Sequence, residues 1–283
     1  MCNTKKTVKK VSTFLLSILL LAIPVMSQAK NIHDPWNRLV SQNVVTINEG
    51  KSTQVNYKAM KAQESELTRY LNTLSAIKKS NFNDWNNAKQ LAFLINAYNA
   101  FTVALIVKNL DNDDSSLNSI KDLGGFFSSP WRKEFIPLLG KTLSLDNIEH
   151  DLIRGAVNNI GKAKYNDPRI HFALNCASIG CPALREEAYT AGKFSKQLEQ
   201  QTLRFLSDPT RHYALDNTLN ISSIFKWYKD DFEKGYNNAY SLNAFLLQYA
   251  QALKLSTSQK NALEQGEMEI EFLKYDWGLN AHR

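Results

Sequence analysis

Cysteine is scarce in this sequence: three residues in 283 are too few for a scaffold held together by disulfides. Glycine and proline are also infrequent, with 11 and 7 residues, which excludes a collagen-like repeat and a low-complexity chain. There is no Ser/Gly-rich or Pro-rich linker, no run of like charge and no internal repeat. The composition that remains, 43% hydrophobic and 22% charged, is globular and predicts a single domain.

Acidic residues are absent from the first 29 positions, where four lysines precede an apolar stretch from Phe14 to Met26. Small residues follow at Ser27 and Ala29, so residues 1–29 are predicted to be a secretory signal peptide cut after Ala29. A stretch of thirteen residues is too short to span a bilayer, which disfavours the alternative of an uncleaved N-terminal anchor, and we expect no stable membrane span after signal removal. The predicted location is periplasmic or secreted.

Excess positive charge is modest once that segment is set aside. Four of the 34 basic residues belong to it, so the net charge falls from +7 to +3. Nucleic-acid binding depends on many lysine and arginine contacts to phosphates, and so small a positive excess argues against a nucleic-acid partner. A peptide or a component of the cell envelope is the expected substrate.

Export leaves Cys176 and Cys181 as the two cysteines of the mature chain. In an oxidising compartment such a pair favours a disulfide, although a loop this short adds only about 2 kcal/mol of stability. A redox-active pair is a further alternative, which the spacing disfavours because it is not C-x-x-C. No metal or cofactor is expected, because the thiols and histidines lack the paired spacings of a structural zinc site.

Apolar periodicity predicts an α+β fold in which helices dominate. Helices are expected over residues 65–77, about 85–107, 145–157, 194–206 and 241–253. The second of these is apolar on nearly every side and is therefore predicted to be a buried central helix. Short strands at 213–215, 218–221 and 270–273 predict a small, mostly antiparallel sheet.

The densest group of reactive side chains lies between Asp167 and Pro182. We predict a buried strand over residues 170–174, a turn carrying Cys176, and a helix that Pro182 begins. Backbone N–H groups and the helix dipole at such a turn would stabilise a thiolate and an oxyanion. Cys176 is therefore the candidate nucleophile of a cysteine hydrolase or acyltransferase that acts on a peptide or amide.

A thiolate nucleophile needs a base, and two histidines are candidates. His171 lies five residues before Cys176, and on a regular strand this odd separation places the two side chains on opposite faces. His150 is therefore the preferred base, with Glu149 or Asn175 to orient it. Either histidine has an ordinary structural alternative, as a buried ring or a favourable charge near a helix end.

Amide and aromatic side chains outside this segment are candidates for substrate contact. Asn96 and Asn99 lie one turn apart on the central helix, where bonding to nearby backbone is the structural alternative. Trp227 and Trp277 would line a groove, or would pack on the core. Aromatic residues in segment 275–280 also predict that the C-terminus packs back on the body.

Five segments, in order along the chain, resemble DUF547, a domain of unknown function in exported bacterial proteins and in plants. They are AFLINAYNAF (92–101), SLDNIEHDLIR (144–154), DPRIHFALNCASIGCPALR (167–185), IFKWYKDDF (224–232) and KYDWGLN (274–280). The resemblance implies a DUF547-like domain over residues 91–283. Residues 30–90 lie outside the resemblance, and we predict that they form an N-terminal helical extension packed on the domain. In the family the first cysteine is characteristic and the second can be serine, which implies a role for Cys176 beyond a bridge.

Two functions therefore stay open. One is a thiol hydrolase or acyltransferase, which requires Cys176 to be free and beside an imidazole. The other is a non-catalytic binding or structural module with a Cys176–Cys181 disulfide, whose aromatic groove takes a peptide, glycan or envelope partner. The resemblance adds no established activity.

Overall fold

The computed structural model describes residues 1–2, 31–110, 117–125, 128–156, 158 and 163–283, so the signal peptide predicted at 1–29 lies almost wholly outside the described residues. Residues 31–283 form one packed unit. The α-helices of the described chain are α1 (Asp34–Asn43), α2 (Tyr57–Ala62), α3 (Glu64–Ser75), α4 (Lys79–Asn83), α5 (Asn87–Asn109), α6 (Phe194–Leu206), α7 (Ile224–Trp227), α8 (Lys229–Phe232), α9 (Leu242–Gln248) and α10 (Thr257–Gln265).

Helix α5 is the buried central helix that the apolar pattern predicts. The Asn86 side chain caps its start by accepting a hydrogen bond of 2.9 Å from the Lys89 backbone N–H. Within the described residues, α5 is long and apolar enough to cross a membrane, but 94% of its most apolar stretch is buried inside the protein. Burial on every side identifies it as a core helix.

The strands form small sheets, as predicted. β1 (Val44–Ile47) pairs antiparallel with β2 (Ser52–Val55), and β3 (Ile136–Leu138) pairs antiparallel with β4 (Lys141–Leu143). The predicted hairpin joins β5 (Tyr213–Leu215) to β6 (Thr218–Ser222), and β7 (Glu269–Leu273) adds to β6 in parallel.

Two apolar clusters fill the described structure. The larger one surrounds α5 and takes side chains from α1, α2, α3 and the β3–β4 hairpin. The smaller one is rich in phenylalanine and gathers Phe172, Phe225, Phe232 and Phe245. The ring centroids of Phe225 and Phe232 are 4.7 Å apart, within the range of favourable aromatic pairs. The candidate site lies near this aromatic cluster, because Phe172 is next to His171.

The strand predicted over residues 170–174 is wrong. Pro168–Phe172 is a 3₁₀-helix, which Asp167 begins by accepting a hydrogen bond of 3.1 Å from the Arg169 backbone N–H. Proline at the first helical position and an acceptor just before it favour a helical turn over a strand. The alternation of a strand therefore does not apply to His171, and the argument against it as a base is lost.

The helix predicted to begin at Pro182 is also absent from the described structure, where residues 182–189 are irregular. Side-chain amides satisfy the backbone there: Gln201 donates to the Ala183 carbonyl over 2.8 Å, and Gln197 donates to the Ala188 carbonyl over 2.9 Å. No helix dipole therefore acts on Cys176 from this segment.

Candidate functional site

A cavity of about 270 Å³ contains most of the reactive side chains singled out in the sequence. It is bounded by an eight-residue π-helix (Asn147–Arg154), by residues 174–182 and by residues 224–228 and 275–277. The lining side chains are aromatic, ionisable or sulfur-bearing for the most part: Tyr98, Trp131, Arg132, Asp146, Glu149, His150, His171, Cys176, Cys181, Trp227, Tyr228, Tyr275 and Trp277.

The cysteine loop, residues 176–181, forms part of the cavity wall. The Sγ atoms of Cys176 and Cys181 lie at disulfide distance, and their Cα atoms are 6.2 Å apart. Between them Ala177 adopts φ 63°, in the left-handed region that a non-glycine residue seldom occupies. The structure therefore shows the bonded form that the sequence left as an alternative.

The C-terminal segment, residues 275–280, packs against the cysteine loop and is joined to it by backbone hydrogen bonds. The Ile179 N–H donates to the Gly278 carbonyl over 2.7 Å, and the Gly180 N–H donates to the Asp276 carbonyl over 2.8 Å. The prediction that the C-terminus packs back on the body is confirmed. This packing brings Tyr275 to the sulfur atoms.

Two donors reach the sulfur of Cys181. The Tyr275 hydroxyl donates to it over 3.1 Å, and the Cys176 backbone N–H donates to it over 3.0 Å. The same hydroxyl is 3.3 Å from Cys176 Sγ. Burial raises the pKa of Tyr275 well above its ordinary value, so the phenol keeps the proton that it donates.

His171 is the histidine that a carboxylate orients. Its Nε2 lies 2.9 Å from Asp231 Oδ2, and its ring stacks on Tyr228 with centroids 4.0 Å apart. Burial lowers the pKa of His171, and the hydrogen bond with Asp231 opposes that effect. With Nε2 hydrogen-bonded to Asp231, Nδ1 is the other ring nitrogen and the candidate base.

The Asp231 carboxylate is contacted by Arg154 and Lys234 as well as by His171. Arg154 Nε is 2.6 Å from Oδ2, and Lys234 Nζ is 2.7 Å from Oδ1. Burial alone would raise the pKa of Asp231, but the hydrogen bonds from His171, Arg154 and Lys234 outweigh it and hold the pKa far below its usual range. Asp231 is therefore ionised at neutral pH.

Glu149 and His150, side by side on the π-helix, both line the cavity but do not form a pair. Glu149 is 7% exposed and accepts a hydrogen bond of 2.6 Å from the Tyr228 hydroxyl. His150 Nδ1 is 2.9 Å from a guanidinium nitrogen of Arg154. The predicted orientation of His150 by Glu149 is therefore not seen, because each residue has another partner.

The predicted asparagines do not line the cavity, and their amides bond to buried backbone. Asn96 exchanges two hydrogen bonds with the backbone of Tyr189, at 2.8 and 3.0 Å. Asn99 donates to the Ala173 carbonyl and accepts from the Asn175 N–H, both over 2.9 Å. Their substrate role stays a prediction without a contact to support it.

Asn175 immediately precedes the cysteine loop and hydrogen-bonds to the backbone at both of its ends. Its Oδ1 accepts from the Ala177 N–H over 3.0 Å, and its Nδ2 donates to the Pro182 carbonyl over 2.8 Å. The side chain is 3% exposed. It thus joins the two ends of the loop, and none of its hydrogen bonds in the described structure reaches either candidate histidine.

The two predicted tryptophans come together in an aromatic wall. The rings of Trp227 and Trp277 stack with centroids 5.7 Å apart, and Trp131 meets Trp277 edge-on at 5.6 Å. Trp227 is 46% exposed, which leaves its ring available to a ligand. Lys121 Nζ lies 3.7 Å from the centroid of Trp277, so this wall already accommodates one cation.

Sequence reasoning missed Asp231 and Tyr275 as site residues. They lie 60 residues after His171 and 94 residues after Cys181, distances at which no local spacing rule applies. Both belong to segments quoted above for the resemblance to DUF547, which was the available signal. Trp131 had no such signal.

Comparison with family models matches residues 82–206 to the protein of unknown function DUF547. A DUF547 domain is present. Comparison with curated proteins and with solved structures finds no match. The DUF547 domain carries both cysteines, Glu149, His150 and His171, whereas Asp231 and the aromatic residues 227, 275 and 277 follow the matched residues. The cavity is therefore built by the DUF547 domain together with the C-terminal part of the chain.

No group of three or more histidine, cysteine, aspartate or glutamate side chains suited to a metal ion occurs in the part of the chain that the structure describes. What the cavity offers is an aromatic wall, two carboxylates, a disulfide and an imidazole held by Asp231.

Proposed function

We propose that this protein is an exported binding module that holds a basic side chain of a peptide in the aromatic cavity. The observation that carries the proposal is the wall of Trp131, Trp227 and Trp277, with Trp227 partly exposed, in a cavity that Asp146 and Glu149 also line. Aromatic faces attract cations, and such contacts strengthen where water is excluded. The lysine-rich, acid-free first 29 residues support export.

Titration of tryptophan fluorescence with two blocked tripeptides, one centred on lysine and the other on glutamate, tests this binding. The lysine peptide is expected to bind at least tenfold more tightly. Trp227→Ala should weaken its binding by roughly two- to fivefold, since a cation–π contact with a partly exposed ring is worth about 0.5–1 kcal/mol. Equal affinity for the two peptides would contradict the proposal.

Tyr213→Ala is the matched control for that variant. Tyr213 is 42% exposed on β5 and does not line the cavity, so its loss should leave the affinity unchanged. Export is tested separately by the intact mass of the protein recovered outside the cytoplasm, which should begin at Lys30.

A second candidate function is cysteine hydrolase or acyltransferase chemistry in the reduced chain. The observation that favours it is that Cys176 and His171 line one cavity, with His171 hydrogen-bonded to Asp231. In the bonded form Cys176 has no thiolate, so this function is confined to the protein after reduction. His171 replaces His150 as the preferred base, because a carboxylate holds His171 whereas a guanidinium contacts His150.

The reaction would follow the usual course of a thiol nucleophile. Nδ1 of His171 takes the Cys176 proton while the sulfur attacks an amide carbonyl carbon, and the amine then leaves with that proton. Water or an amine releases the acyl group from the thioester.

Intact mass after incubation with an activated ester separates the two candidates. Cys181→Ser keeps a free Cys176 and should gain one acyl group that Cys176→Ser does not. Equal labelling of both variants would exclude Cys176 as the nucleophile. Both variants also carry Cys2→Ser, so that the exposed Cys2 cannot be acylated.

A further inference from the structure

The two cysteine residues of the disulfide differ in exposure. Cys176 is partly exposed, whereas Cys181 is 3% exposed, although both belong to the wall of the cavity. Thiol–disulfide exchange begins when a thiolate reaches one of the two sulfurs, so access helps to decide which is attacked. A thiol in the cavity meets Cys176 Sγ more readily.

The two sulfurs also differ in how well they would carry the negative charge of a leaving thiolate. Cys181 Sγ accepts from the Cys176 N–H at 3.0 Å and from the Tyr275 hydroxyl at 3.1 Å. Hydrogen bonds to a thiolate stabilise it, and a thiol of lower pKa leaves faster. Cys181 is therefore the better leaving group of the two cysteines.

The nearest polar groups around Cys176 Sγ give less support. The Tyr275 hydroxyl is 3.3 Å away and Ser178 Oγ is 3.8 Å away. The backbone N–H of Cys176 itself is directed at the other sulfur. Access and leaving-group stabilisation thus favour the same direction of attack.

We infer that the Cys176–Cys181 disulfide undergoes directed exchange with a thiol that enters the cavity. The incoming thiolate attacks Cys176 Sγ, a new sulfur–sulfur bond forms there, the Cys176–Cys181 bond breaks, and its electron pair leaves on Cys181. A second thiolate then attacks the sulfur of the incoming molecule and releases Cys176 as a thiolate. The thiol is oxidised to its disulfide, and the protein pair is reduced. This exchange does not depend on peptide binding at the aromatic wall.

The direction of attack is tested by trapping the intermediate. The oxidised full chain, with Cys2 first blocked by maleimide, is mixed with glutathione and quenched after increasing times with a second, isotopically distinct maleimide. Both cysteines lie in the tryptic peptide from Ile170 to Arg185, so fragmentation assigns each modification. We expect glutathione on Cys176 and maleimide on Cys181 in at least tenfold excess over the reverse product. The reverse product in excess, similar amounts of both, or no reduction of the folded protein would overturn the inference.

Removal of the tyrosine hydroxyl tests the stabilisation of the leaving sulfur. Tyr275→Phe should slow reduction by glutathione by roughly tenfold, which is the size of a hydrogen bond to a charged group. Tyr213→Phe, the matched loss of an exposed hydroxyl, should leave the rate unchanged. If Tyr275→Phe is reduced at the wild-type rate while its melting temperature is unaltered, the role assigned to Tyr275 is wrong. A rate loss shared by Tyr213→Phe counts equally against it.

The exchange and the binding of a peptide can fail separately. A protein that binds the lysine peptide but is not reduced by glutathione would support the binding function and reject the exchange. Glutathione trapped on Cys176 in a protein that binds neither tripeptide would support exchange and reject the binding function.

Discussion

Two buried histidines show how differently one residue type is used in two regions of this molecule. His171 and His212 are 4% and 3% exposed, and burial lowers the pKa of both. Nε2 of His171 is paired with Asp231 at the cavity, whereas within the described structure neither ring nitrogen of His212 has a hydrogen-bond partner. His212 packs edge-on against Phe205, with centroids 4.6 Å apart. Partners and access to a cavity, not burial, mark the candidate functional histidine.

The largest effect on the free energy of unfolding is expected from loss of the Asp231 carboxylate, the partner that His171 has and His212 lacks. Asp231→Ala leaves His171, Arg154 and Lys234 without their common partner and should cost about 3 kcal/mol, as breaking a buried ion pair does. Asp230→Ala removes the adjacent, exposed carboxylate and should change the stability by less than about 0.5 kcal/mol. Urea unfolding at pH 7 measures both, and similar losses would remove the distinction.

Replacing each histidine by phenylalanine should have opposite effects. His171→Phe removes a hydrogen bond to an ionised carboxylate and should cost about 2 kcal/mol. His212→Phe removes two buried, unpaired ring nitrogens and should add about 1 kcal/mol. The free energies of unfolding of the two variants give the comparison. A loss of stability in both would mean that His212 is not the poorly satisfied residue inferred here.

Lowering the pH should destabilise the folded protein, because His212 binds a proton more readily in the unfolded chain. Burial lowers the pKa of His212 from 6.5 to about 3, with Asp208 raising it and Arg211 lowering it by smaller amounts. Between these values the unfolded chain binds a proton that the folded chain does not, so stability falls as the pH falls from 6.5 towards 3. The expected contribution is about 1 kcal/mol per pH unit. His212→Phe should reduce the measured slope between pH 6.5 and 5 by that amount, and an unchanged slope would contradict the assignment.

The smallest effect is expected at the exposed edge of the Asp231 network. Lys234 is 50% exposed, and its 2.7 Å contact with Asp231 is the kind of ion pair that water and salt weaken. Lys234→Ala should cost about 0.5 kcal/mol in urea unfolding at moderate salt. A loss as large as that of Asp231→Ala would contradict the view that water and salt weaken the Lys234–Asp231 ion pair.

Sequence reasoning was strongest where one element depends on its own residues. The central helix, the helix over 194–206, the hairpin and the last strand follow from apolar spacing and turn residues, and the structure confirms them. It failed at residues 170–174 and 182–189, where a proline after a capping aspartate and distant glutamine side chains set the backbone. These short apolar stretches carry too little periodicity to separate a strand from a helical turn.

The candidate site, like the fold, could be predicted from the sequence only in part. Cys176, Cys181, His171, Trp227 and Trp277 could be named from their residue types and neighbours, and the structure brings all five to one cavity. The choice between His150 and His171 could not be made, because it depends on Asp231, 60 residues away from His171 along the chain.

By itself, then, the sequence determined a helix-rich domain with a buried central helix and a reactive segment around Cys176, because these properties arise from the order of neighbouring residues. Tertiary packing decided that the cysteines are joined, that Tyr275 reaches their sulfurs and that a carboxylate orients His171. Those contacts depend on distances of a few ångströms between segments far apart in the chain, and such distances exist only once the chain has folded.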